Sequence, residues 1–387
     1  MKNVLLVDTN FSSAPIYDYI KRSGYRVFVC GGNSSDFLAR SVEDYIKIDY
    51  SDLNKMQELI RSRHIDYIVP GCNDLSYQVC TQLNTERRFS GLDDYETSES
   101  INNKEKFRQL AGQLALPAPG IIPSEKLGYV WPIIVKPVDA YSGRGVTVVH
   151  EAEKGTLPFA MQQAEKYSRT GSCIVEEYIE GQLYSHSAFF SAGEILMDFI
   201  VEEHGTANPF TVDTSWVSYE FPTEMLLCIR NAIQMLAKKL NLVDGLIHTQ
   251  FIRNEGKFWL IEVTRRCPGD LYSKLIELST GFHYVESYVR PFLNQAIPSE
   301  SNVSLKQSYI LRHTISQPIQ DLFGSIQFNL PLQIEKMVSL TLSGDLVKSS
   351  PLGRIALLFA KANSKKEMCN LIDFALKREL YTISSVI

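Results

Sequence analysis

No stretch of this chain approaches the run of about twenty apolar residues that a membrane-spanning helix needs. The apolar opening, VLLV at 4–7, is cut by Asp8 and is far too short for a secretory signal. Cysteines are few and unpatterned: Cys30, Cys72, Cys80, Cys173, Cys228, Cys267 and Cys369 make an odd seven with no CxxC spacing. That pattern indicates neither a zinc cluster nor a disulfide framework, and a reducing cytoplasm is the expected setting. A strong charge of one sign is missing as well, since the net charge is -5 and the pI about 5.9. Broad binding to nucleic acid or to an anionic membrane is therefore not expected, and any cationic site must be local. No GxGxxG follows the first apolar strand, and no Ser or Cys nucleophile stands in a recognisable constellation.

What remains is a globular composition, 44% hydrophobic and 21% charged over 387 residues, enough for two or three domains. The first hundred residues alternate strand-like runs at 3–8, 25–30, 44–48 and 65–70 with helical patterns near 14–23 and 53–62. Such alternation predicts an α/β fold with a parallel sheet whose strand C-termini face the ligand. Those ends carry Asp8-Thr9-Asn10, Gly31-Gly32-Asn33 and Gly71-Cys72-Asn73-Asp74. Each serves equally as a plain capping loop.

The segment 132–149, PIIVKPVDAYSGRGVTVV, is the most informative. Ile133, Ile134 and Val135 are strand formers that fix the backbone just before Lys136. Gly143 and Gly145 permit positive φ and close approach of backbone N–H groups to an anion, while Ser142 and Arg144 add donors. An ordinary surface hairpin has the same pattern, so the segment by itself leaves both readings open. Before it, a helix is predicted over 103–114, with Phe107, Leu110, Ala111 and Leu114 on one buried face. Lys104 in its first turn opposes the helix dipole, which a bound phosphate would explain and a solvated lysine would too. After it, the strand 172–181 contains Glu176, Glu177, Tyr178 and Ile179, where exposed backbone groups suit an adenine edge or simply end a strand.

A third element spans 248–270, with strands at 247–253 and 258–263 around the turn Asn254-Glu255-Gly256. Period-two alternation puts His248, Gln250 and Ile252 on one face and Glu262 with Thr264 on one face of the partner strand. Gln250 and Glu262 can meet across the hairpin as oxygen donors, suited to Mg²⁺ shared with phosphates. Arg266, two positions beyond Thr264, can neutralise charge on a transferred group. The bland alternative is a salt-bridged glutamate with two surface arginines.

In this order the elements resemble the ATP-grasp superfamily over residues 1 to about 295: a lysine at a helix start, a strand lysine with a glycine loop, a Glu-Glu hinge and a hairpin ending Glu-x-Thr-x-Arg. In that family two subdomains close on ATP like a clamp. The resemblance implies Lys104 and Lys136 as phosphate-binding lysines, and Ser142, Gly143, Arg144 and Gly145 as the loop over the γ-phosphate. It implies Glu176, Glu177, Tyr178 and Ile179 as the adenine hinge, and Gln250, Glu262 and Thr264 as ligands of Mg²⁺ or Mn²⁺. Arg266 is implied to stabilise a reacting acyl phosphate, which with Lys136 makes the catalytic pair. Many relatives have glutamate at position 250, though carbamoyl phosphate synthetase-like members use glutamine; many have asparagine at 264, and glutamate where this chain has Leu183.

The expected architecture is α/β, α+β in parts: a Rossmann-like parallel-sheet domain over 1–100, an ATP-grasp domain over 101–298 with a lid at about 115–180, and a C-terminal α+β extension over 299–387. The extension, with strands at 307–316, 336–344 and 354–362 and a helix over 365–378, resembles that of biotin carboxylase-like and amino-acid ligase-like members. It is expected to cover the substrate side or to form an oligomer interface, as in a homodimer. The segment 201–219 reads as an acceptor-covering loop or a plain connection, and Asp74, Asp270 and Tyr272, near predicted strand ends, are the expected substrate contacts. The implied activity is ATP-dependent joining of a small carboxylate, an amino acid or related metabolite, to an amine, through an acyl phosphate, with release of ADP and phosphate. Alternatives are formation of a carboxy- or carbamoyl-phosphate product and nucleotide sensing without turnover.

Overall fold

The computed structural model describes residues 1–86, 88–127, 130–140, 143–298 and 305–385. The N-terminal strands form a parallel sheet in the order Tyr45–Lys47, Arg26–Gly31, Asn3–Val7, Tyr67–Pro70. Val4, Leu5, Leu6 and Val7 are wholly buried, as an unbroken apolar run requires when helices cover both faces of a strand. The chain returns past the first strand to place the fourth beside it, so the order reverses there. A crevice opens at such a reversal, outside the strand C-termini. Asp8 through Ser12 and Cys72 through Asp74 stand at this point. The third predicted ligand-facing end, at Gly31, is instead packed against Thr9 and the neighbouring strand.

The centre of the molecule is an eight-stranded antiparallel sheet in the order Lys257–Thr264, Gly245–Asn254, Gln182–Ser191, Glu194–His204, Thr214–Val217, Tyr309–Ile315, Ala356–Ala362, Gln333–Ser339. The helix Thr223–Leu240 buries Ile229, Ile233 and Leu236 against it. The last three strands belong to the C-terminal segment, so the sheet runs without a break across the expected boundary at 298/299. The helix Lys365–Leu376 buries Met368, Leu371 and Ala375 there. Much of the segment 201–219 is strand, which leaves a connection over 205–213 and the two residues 218–219 after the second strand.

Over the cleft stands a small antiparallel sheet, Thr147–Val149, Ile133–Pro137, Cys173–Glu177, with the helix Leu157–Tyr167 packed on it through Ala160 and Ala164. The 132–149 pattern is therefore both a hairpin and one wall of a cleft. The predicted helix at 103–114 is Lys104–Gln113, with Asn103 accepting from Lys106 N at 3.1 Å as its cap. Among the described residues no helix is long and apolar enough to cross a membrane.

A buried network joins the parallel sheet to the central one. Arg265 Nε donates to Asp93 Oδ2 at 2.7 Å, and its two terminal nitrogens donate to Leu246 O and Val243 O at 2.5 and 2.6 Å. Asp93 also accepts from Tyr77 Oη at 2.7 Å. Arg265→Leu strands a buried carboxylate and is expected to lower stability by about 3–5 kcal/mol. Urea unfolding measures this, and a loss no larger than that of an average surface substitution contradicts it.

Candidate active site

One cleft of about 650 Å³ receives side chains from the parallel-sheet loops, the lid, the central sheet and the C-terminal segment. One end of it is built around Lys136. The strand Ile133–Pro137 is buried along its whole length, so the lysine leaves a rigid support. Lys136 Nζ donates to Glu176 Oε2 at 2.8 Å, and Arg108 Nε lies 2.7 Å from Glu176 Oε1. Burial pushes the Lys136 ammonium below its ordinary value, although Glu176 opposes that shift. Burial alone would raise the Glu176 carboxyl, but Lys136 and Arg108 outweigh it and hold it below the usual range. Glu176 is fully buried, so its carboxylate orients a lysine rather than meeting a base edge. Glu177 is also engaged, accepting from Gly120 N at 2.8 Å, while Glu177, Tyr178 and Ile179 line the cleft.

Lys104 Nζ donates to Ala140 O at 2.8 Å and stands 3.6 Å from Glu262 Oε1. Gly143 and Gly145 have φ of 66° and 70°, and Gly145 packs on Tyr167 and Pro137. Gly143 and Arg144 line the cleft, and Ser142 lies outside the described residues.

The hairpin Gly245–Thr264 pairs Gln250 with Glu262 and His248 with Thr264. Glu255 and Gly256 turn it through positive φ. Gln250 Nε2 donates to Glu203 Oε2 at 2.7 Å, which leaves its carbonyl oxygen for a cation. Among the described residues no cluster of three His, Cys, Asp or Glu side chains could hold a metal. One carboxylate and one amide oxygen fit Mg²⁺ that completes its shell with phosphate oxygens and water. Thr264, expected as a third ligand, donates its hydroxyl hydrogen to Asp74 Oδ1 at 3.1 Å and lines the cleft with oxygen lone pairs left over.

Asp74 in turn takes Arg266 in a bidentate pair, Nε to Oδ1 at 2.8 Å and Nη2 to Oδ2 at 3.1 Å. Burial opposes the charge on Asp74, and Arg266 more than compensates, holding its carboxyl below the ordinary range. Asp74 thus anchors Arg266 at the cleft wall. Asp270, expected as a substrate contact, lines the cleft and is paired with Arg354 Nη1 at 2.8 Å and Arg312 Nη2 at 3.2 Å. Tyr272 is buried, and its hydroxyl accepts from Ser185 Oγ at 3.1 Å.

Several cleft-forming residues escaped the sequence reading. Glu203, cross-strand from Ser215, and Arg312, cross-strand from Ser215 on its other side, extend the Glu262–Gln250 pair into a polar row across the sheet. Arg312 and Arg108 interrupt buried apolar faces, which was their available signal. Arg354 and Glu203 gave none. His248 lines the cleft as a neutral imidazole: burial first, then Arg266, lowers its pKa from 6.5 to about 3, and Nδ1 bonds Ser187 Oγ at 2.8 Å.

The family model described as the ATP-grasp domain matches residues 129–274. The chain is 25% identical over 182 residues to the carbamoyl phosphate synthase large chain of Clostridium botulinum (strain Loch Maree / Type A3), covering 43% of this chain and 16% of that relative. It therefore spans about a sixth of the length of that relative. It is 26% identical over 337 residues to the formate-dependent phosphoribosylglycinamide formyltransferase of Prochlorococcus marinus (strain MIT 9313), covering 80% of this chain and 81% of that one. The L-amino acid ligase structure from Bacillus licheniformis superposes with a TM-score of 0.80 at 17% identity, covering 100% of this chain and 99% of that one.

Two outcomes follow from the charges in the cleft. Glu176→Gln removes the neighbour that favours the Lys136 ammonium, so the alkaline loss of nucleotide binding should move to lower pH. Titration of a fluorescent ATP analogue between about pH 7 and 10 reads this, and an unmoved limb contradicts it. His248 is held neutral in the fold, so the unfolded chain takes up the proton first as pH falls. Its contribution is whole above pH 6.5 and is lost progressively toward about pH 3. Between pH 7 and 5 the protein should lose about 2 kcal/mol more stability in urea than His248→Gln does, and equal losses contradict the assignment.

Proposed function

We propose that this chain, whose residues 129–274 match the ATP-grasp domain, is an ATP-dependent ligase, activating a small carboxylate as its acyl phosphate and joining it to an amine. The observation that carries this reading is the convergence of Lys104, Lys136, Gln250, Glu262 and Arg266 on one cleft that also extends to Asp270, Tyr272 and Arg312. The lysines bind phosphate oxygens at one end, and the carboxylate substrate lies toward the other. Gln250 and Glu262 would hold Mg²⁺, which when bound would neutralise phosphate charge as a Lewis acid. Arg266, kept in place by Asp74, faces the group that gains charge during transfer. Positioning and electrostatics supply the catalysis. The adenine lies along the 177–179 backbone, beside Ile134, Leu183 and Ile252. The partners are small molecules, and the seven free thiols suit a reducing cytoplasm.

A second reading, formation of a carboxy- or carbamoyl-phosphate product, draws support from Gln250 and from the likeness to carbamoyl phosphate synthase. An ADP-release screen over paired carboxylates and amines separates the two. A requirement for both partners supports ligation; release with bicarbonate alone supports the second reading; silence across a broad panel sinks both in favour of nucleotide sensing. Glu262→Gln is expected to lower metal-dependent turnover by about 10²–10³ in a folded protein, and full activity in that variant would remove the metal assignment.

A further inference from the structure

The connection 205–213 is built as a rigid loop. The Asp213 carboxylate accepts from Thr206 N at 2.9 Å, Thr206 Oγ1 at 2.8 Å, Ala207 N at 2.9 Å and Thr214 Oγ1 at 2.8 Å. Asn208 Oδ1 accepts from Phe210 N at 2.8 Å, and a Cβ on Gly205 would collide with Asn208 O. The C-terminal segment braces this loop from outside. Arg378 Nη1 donates to Thr206 Oγ1 at 3.2 Å and lies 3.8 Å from Asp213, while Nη2 donates to Ser316 Oγ at 3.2 Å. Thr314 N donates to Asp213 O at 2.7 Å.

The tip of the loop, Pro209 through Val212, lines the cleft opposite the lid turn. A Cβ on Gly143 would lie 2.6 Å from Phe210 O and 2.8 Å from Phe210 Cβ, so the lid backbone rests directly on Phe210. With φ of 66°, Gly143 also has a backbone conformation that side-chain-bearing residues rarely adopt.

We propose that the loop 205–213 is the seat on which the lid closes, with Phe210 receiving Gly143, and that Asp213 and Arg378 are positioning residues that keep the seat rigid. This rests on the ligase reading above. A firm seat keeps water from the activated carboxylate until the amine attacks. On a loosened seat, water attacks the acyl carbon, the bond from that carbon to the phosphate oxygen breaks, and carboxylate, phosphate and a proton leave in place of amide and phosphate.

The test measures ADP released per amide formed in Arg378→Met and Phe210→Gly. Both should raise that ratio by about tenfold, Arg378→Met through loss of about one net hydrogen bond bracing the loop and Phe210→Gly through loss of the side-chain packing under Gly143 and a looser backbone, with affinity for a fluorescent ATP analogue retained. Arg378→Lys should restore part of the coupling. Hydrogen exchange at 143–146 gives a readout independent of turnover: ATP should protect these amides in the wild type and protect them less in both variants. If Arg378→Met does not fold, Phe210→Gly carries the test. An unchanged ratio with unchanged protection overturns the seat. A wild type that neither binds nucleotide nor releases ADP overturns the ligase reading and the seat together.

Discussion

Two consecutive arginines at the end of the central hairpin hold the halves of this molecule in register. Neighbouring residues at a strand end point to opposite sides, so Arg265 and Arg266 serve different purposes. Arg265 goes inward to Asp93 and to two backbone carbonyls, and its side chain is 2% exposed. Arg266 goes to the cleft and to Asp74, at the crevice of the parallel sheet. A guanidinium suits both places because its planar fork satisfies two acceptors at once.

The lid uses the same physics at smaller scale. Lys136, Glu176 and Arg108 come from two lid strands and the helix before them, and Arg108 Nη2 also reaches Ile261 O at 2.9 Å on the hairpin strand. Buried charges of this kind are tolerable only when each is paired. The arrangement presents a lysine whose desolvated ammonium would interact strongly with an anion in the cleft, because little water competes.

The parallel strands, the hairpin and the helix Lys104–Gln113 were legible in the chain because backbone sterics and hydrophobic period act over a few residues. Gln250 and Glu262 were legible as residues of one hairpin, and a bulge between Gln250 and Phe251 is what sets them opposite each other. Their partners were not legible. Asp74 lies 192 residues from Arg266, and Asp93 lies 172 from Arg265. No local pattern chooses between a carboxylate that meets a ligand and one that meets an arginine. Hence the chain alone could not show that Glu176 is engaged by Lys136, or that Asp74 and Asp270, which line the cleft, are held there by Arg266 and Arg354. The continuation of the central sheet through Thr214–Val217 into the C-terminal strands was hidden for the same reason, since strand pairing is a long-range contact.

The residues themselves therefore fixed the strands, the turns, the buried faces and the lysine, glutamate and arginine from which a phosphate-binding cleft can be made. Packing fixed which charges are spent on one another and which remain for a ligand. An ion pair takes its strength from the water excluded around it, and that exclusion exists only once distant segments have closed over the site.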